Sequence, residues 1–105
     1  MKYNKLVRDK IPAIIKQNGD LPVIHIANNK EYYQKLKEKI KEEVAEFIKT
    51  DDTEELADIL EVVYAIGDYK KFSPLKLARL RKIKLRKRGG FKKKIILEET
   101  KTHPK

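Results

Sequence analysis

The segment at residues 42–61, EEVAEFIKTDDTEELADILE, constrains the chain most. Glu43 and Glu46 stand three apart, a short break follows, and Glu55 and Asp58 again stand three apart. Residues i and i+3 are neighbours on a helix surface, so each half carries two carboxylates one turn apart. A connection of only a few residues makes two such helices antiparallel neighbours. Packed that way, the four carboxylates converge, and four like charges repel unless a cation sits among them. Oxygen ligands of this kind suit a hard cation, Mg²⁺ or alternatively Mn²⁺.

Helical phase sharpens this reading. At about 100° per residue, Tyr33, Leu36, Ile40, Val44 and Phe47 form one apolar stripe, with Glu43 and Glu46 along its margin. Leu56, Ile59, Val62, Val63 and Ile66 form a second. Glu55 falls inside that second stripe and Asp58 borders it. A charge in a buried stripe is expensive unless it is paired, protonated or metal-bound. Glu42, Glu54 and Glu61 point further away and read as solvated acids, although Glu61 continues the i+3 spacing from Asp58 and is the open case among them. Tyr32, Tyr33, Tyr64 and Phe47 read as core or interface.

Charge is unevenly spread. The net charge is +10, yet residues 31–68 carry twelve acids against five bases, while residues 70–94 carry thirteen Lys or Arg and no acid. One half suits cations and the other suits anions. A nucleotide polyphosphate with its metal needs both; nucleic acid is the second partner the basic half suggests. The rival to an enzyme is therefore a basic nucleic-acid-binding module without catalysis. There is no cysteine, which excludes a disulfide framework or a thiolate metal site. No apolar run approaches the ~20 residues that span a bilayer and no secretory signal is visible, so the expected compartment is the cytoplasm. A chain of 105 residues with 40% hydrophobic residues is expected to be one domain with a modest core, which favours a homo-oligomer.

Along the chain, Asp9 is an expected cap for a short helix through Gln17, with Pro12 in its first turn and Gly19 at its end. Residues 21–27 are β-branched and punctuated by Pro22, and read as extended, as do residues 94–98. Helices are expected over roughly 30–49, capped by Asn28 or Asn29, and 53–70, capped by Asp51, Asp52 or Thr53. Ser73-Pro74 starts a third long helix that Gly89-Gly90 stops near Arg88. Residues 101–105 read as a frayed tail. The fold class is all-α, with an antiparallel helical core and two short strands at most.

The ExxE…ExxD pairing, together with Tyr3-Asn4-Lys5-Leu6-Val7-Arg8-Asp9-Lys10-Ile11-Pro12 and Lys87-Arg88-Gly89-Gly90-Phe91, resembles the MazG-like all-α nucleoside triphosphate pyrophosphohydrolases. Within them it resembles the small phosphoribosyl-ATP pyrophosphohydrolase-like, or house-cleaning, branch. The resemblance spans residues 3–99. The gap between Glu46 and Glu55 is shorter than in many relatives, so the helices must turn sharply.

The resemblance implies an all-α core, Mg²⁺ dependence, usually an oligomer (dimer or tetramer), and hydrolysis of a nucleotide to a monophosphate and pyrophosphate. Carried over by motif, the metal ligands are Glu43, Glu46, Glu55 and Asp58. Glu43 or Glu46 would orient the attacking water. Lys5, Arg8, Arg88 and Lys92 are the cations for the pyrophosphate, since Arg presents a planar fork to phosphate. Gly89-Gly90 reads equally as an anion-approaching turn or a plain helix stop.

Overall fold

The computed structural model describes residues 3–102, and it is all-helical: α1 (Ile11–Gln17), α2 (Asn29–Thr50), α3 (Glu54–Tyr69) and α4 (Pro74–Arg88). The expected tail at residues 101–105 lies largely outside the described residues. The chain divides into two compact units, Met1–Pro74 and Leu75–Lys105.

In the first unit, α1 begins at a turn in which the Ile11 N–H donates to the Arg8 carbonyl at 3.0 Å. Its N-cap is Lys10, with no side-chain cap, so Asp9 does not serve as one. Gly19, with φ +93°, carries the chain out of the helix. Helix α2 is capped by Asn28, whose Oδ1 accepts the Glu31 N–H at 2.9 Å. It ends at Asp51, in the left-handed conformation with φ 57°, whose N–H reaches the Phe47 carbonyl at 2.7 Å.

Residues 51–53 then reverse the chain. Thr50 Oγ1 donates to the Glu46 carbonyl and accepts the Asp52 N–H, and Asp52 Oδ1 accepts the Glu54 N–H at 3.0 Å. Thr53 occupies the N-cap of α3 without a side-chain bond, so Asp52 does the capping from one residue further back. At the far end, Tyr33 in α2 stacks on Tyr69 at the end of α3, centroids 4.7 Å apart. Contacts at both ends make α2 and α3 an antiparallel hairpin. Helix α3 closes with a Schellman motif: the Phe72 N–H reaches the Gly67 carbonyl, the Lys71 N–H reaches Asp68, and Lys71 takes φ 59°.

The hairpin core is thin. Among the described residues the buried hydrophobic side chains are Leu36 (1% exposed) and Val62 (7%). Val44 and Ile48 on α2, with Leu56, Leu60 and Tyr64 on α3, are exposed. The two expected strands do not form; no described residue is in a strand. Val23 is 99% exposed and Ile96 82%, so neither apolar run has a neighbouring strand or a core to alternate against. Backbone pairing and burial, which stabilise strands, are both missing there, and Pro22 removes a donor besides.

In the second unit, α4 starts at Pro74 and ends where Gly89, with φ +79°, donates its N–H to the Leu85 carbonyl at 2.8 Å. The expected start and stop both hold. No helix among the described residues is long and apolar enough to cross a membrane.

Candidate metal centre

The hairpin turn puts the C-terminal half of α2 beside the N-terminal half of α3, and this juxtaposition builds the acidic site. Glu43 from α2 and Glu55 and Asp58 from α3 each offer a carboxylate oxygen, and the three atoms lie within 4.8 Å of one another. All three residues are half-buried. Glu46, expected as the fourth member, is exposed and is not in this group. It nonetheless lies near enough for its charge to act on Glu55. Glu61 is exposed and stands outside the group as well.

Glu55 carries the strain of this arrangement. Burial pushes its carboxyl above the ordinary glutamate value. A hydrogen bond with Glu43 and the negative charges of Asp58, Glu43 and Glu46 push it further the same way. Ionised carboxylates only accept hydrogen bonds, so the convergence of Glu43, Glu55 and Asp58 favours positive charge beside it, which Arg8 and Lys39 supply in part. Three half-buried oxygens with no nitrogen or sulfur donor fit a hard divalent cation such as Mg²⁺.

Basic side chains close the rim. Arg8 donates from its guanidinium to Asp58 Oδ1 at 2.6 Å. Lys39 lies 3.2 Å from Glu43 Oε1 and 3.4 Å from Glu42 Oε2. Lys5 donates to Glu42 Oε1 at 3.0 Å. Burial disfavours the charged form of Glu42, but the hydrogen bond from Lys5 and the charges of Lys39 and Lys5 outweigh it, holding its carboxyl below the ordinary value. Glu42 is thus half-buried and paired, rather than the solvated acid its helical phase suggests.

Two of the four expected phosphate-binding cations, Lys5 and Arg8, therefore meet the acidic face of the hairpin. Lys35 helps hold that N-terminal segment by donating to the Asn4 carbonyl at 2.8 Å. Arg88 and Lys92, the other two, belong to the second unit, where both are exposed. Sequence reasoning missed Lys39. Its signal was the i,i+4 spacing to Glu43, which pairs opposite charges on one helix face. His25 is exposed and pairs with Glu31 at 3.0 Å, away from the cluster.

No family model matches the chain, and no solved structure matches it. An uncharacterized protein of Mycolicibacterium smegmatis (strain ATCC 700084 / mc(2)155) is 43% identical over 53 residues, which are 50% of this chain and 53% of that protein. The chain thus spans about half the length of the curated relative it matches.

Proposed function

We propose that this chain is a Mg²⁺-dependent nucleotide pyrophosphohydrolase of the MazG-like, house-cleaning kind, hydrolysing a nucleoside triphosphate or related nucleotide to a monophosphate and pyrophosphate. The observation that supports it is the convergence of Glu43, Glu55 and Asp58 with Arg8 at the rim. Glu43, Glu55 and Asp58 would hold the cation. When bound, Mg²⁺ or Mn²⁺ supplies neutralisation of charge on the phosphate oxygens.

The chain's own residues then have distinct tasks. Glu46 stands exposed outside the ligand group, free to accept a proton from the attacking water; Glu43 is engaged by Lys39. The new bond joins the water oxygen to the α-phosphorus, and the bridging bond between that phosphorus and the pyrophosphate breaks. Arg8 uses one of its five N–H donors on Asp58, which leaves donors for a phosphate oxygen. Lys5, beside it, adds positive charge.

This reading includes a cytoplasmic homo-oligomer. The exposed row of Leu56, Leu60 and Tyr64 on α3 and Val44 and Ile48 on α2 supports it, since such a row on a thin core favours burial against another copy. The deciding experiment incubates the protein with a panel of nucleoside triphosphates and Mg²⁺ and separates the products. Monophosphate with pyrophosphate supports the assignment; orthophosphate alone refutes the reaction even if the cation binds.

A further inference from the structure

The second unit carries a separate charged element that the acidic hairpin does not explain. Helix α4 and the turn after it bear eleven Lys or Arg across residues 75–94 and no acid. Among the described residues, Arg79, Arg81, Lys82, Lys84, Arg86 and Arg88 take part in no ion pair, and all six are exposed. Like charges at i and i+4, as in Lys82 with Arg86 and Lys84 with Arg88, destabilise a helix. A helix built this way is relieved by a polyanion.

The distribution of the cations selects among polyanions. At about 100° per residue, Arg79, Lys82 and Arg86 fall in one row, and Arg81, Lys84 and Arg88 fall in another, roughly on the opposite flank. Apolar residues are not gathered between them. Leu80 and Ile83 share one intervening face with Lys76 and Lys87, Leu85 lies on the other, and Leu80, Ile83 and Leu85 are all exposed. A lipid surface meets one side of a helix and needs a single apolar face to receive it, which α4 lacks. A duplex major groove is about 12 Å wide and admits a helix of about that diameter, with phosphates on both walls. Cations on two opposite flanks match two walls.

We infer that α4 is a duplex nucleic-acid-binding helix that contacts phosphates on both sides of a groove through its two rows of Lys and Arg. Binding is independent of base sequence, because the charges answer phosphates rather than base edges. At about 1.5 Å per residue the helix is roughly 22 Å long, long enough to pass several phosphates on each wall.

The test is fluorescence anisotropy of the full chain with a labelled duplex of about 20 base pairs, in a salt series. Six phosphate contacts predict a loss of about a thousandfold in affinity between about 50 and 200 mM salt. Replacing one row, Arg79→Gln with Lys82→Gln and Arg86→Gln, lowers the slope of log K against log salt by roughly 2–3 units. Replacing the other row, Arg81→Gln with Lys84→Gln and Arg88→Gln, does the same. Lysine at the arginine positions retains binding, and circular dichroism checks that each variant keeps its helix. No binding at about 50 mM salt overturns the proposal, as does a slope that responds to only one row. Equal binding to a single strand of the same length removes the groove, and tighter binding to phosphatidylserine vesicles than to duplex makes the helix a lipid binder instead.

Discussion

Glu55 is the residue on which the metal reading turns. Its carboxyl is raised above the ordinary value of 4.5, so the folded state binds its proton more tightly than the unfolded state does. Metal-free stability should therefore fall as pH rises from 4.5 through the folded value of Glu55. Glu55→Gln mimics the protonated form. It should make the metal-free protein more stable at neutral pH and abolish its response to Mg²⁺, read by thermal unfolding with and without the cation. Glu42 works in the opposite sense. Its carboxyl is lowered, so its contribution is present above 4.5 and is lost as pH falls through its folded value. Lys5→Gln should blunt that acid-side loss, measured by urea unfolding at a series of pH values. For catalysis, Arg8→Ala should lower kcat/KM about 10- to 100-fold, the scale of a hydrogen bond to a charged group.

At the scale of elements, helix ends rather than helix centres hold the testable energetics. Asn28→Ala removes the bond to the Glu31 N–H and should cost about 1 kcal/mol. Lys71 sits at φ 59° in the Schellman turn after α3; Lys71→Gly relieves the left-handed strain, partly offset by chain entropy, and should gain roughly 0.5–1 kcal/mol. Equilibrium denaturation of the full chain measures both, and an unchanged midpoint in either variant would contradict the cap it targets. These ends were legible in the sequence because their chemistry is local. Pro74, Gly89 and Asn28 act on their own backbone or within one turn, whatever the rest of the chain does. The expected strands failed for the complementary reason: residues 21–27 have β-branched side chains, but a strand exists only with a paired neighbour, and no described residue is in a strand.

For the whole molecule, two responses follow from the arrangement of the hairpin. A cation that binds only the folded state stabilises it by RT ln(1 + [L]/Kd), about 2.7 kcal/mol at one hundred times Kd. Mg²⁺ should therefore raise Tm, and a melting curve indifferent to Mg²⁺ at millimolar concentration would count against the centre. The exposed apolar row makes the second response: Leu56→Glu with Leu60→Glu should shift the chain toward monomer in sedimentation without loss of helix. A wild type that is monomeric at high concentration would remove the homo-oligomer from the proposal.

The sequence by itself determined the all-helical class, the ends of the three longer helices and the pairing of two acidic turns across a sharp break. Each of these depends on spacing within a helix or on one capping residue. Only tertiary structure decided which acids converge. The turn at residues 51–53 sets the helices in a register that brings Glu43 to Glu55 and Asp58 and leaves Glu46 exposed, a difference of one helical turn that spacing cannot resolve. It also decided that Arg8 meets Asp58, fifty residues away, and that Glu42 is paired rather than solvated. Contacts over such separations depend on how the N-terminal segment lies across the hairpin, and no local periodicity encodes that path.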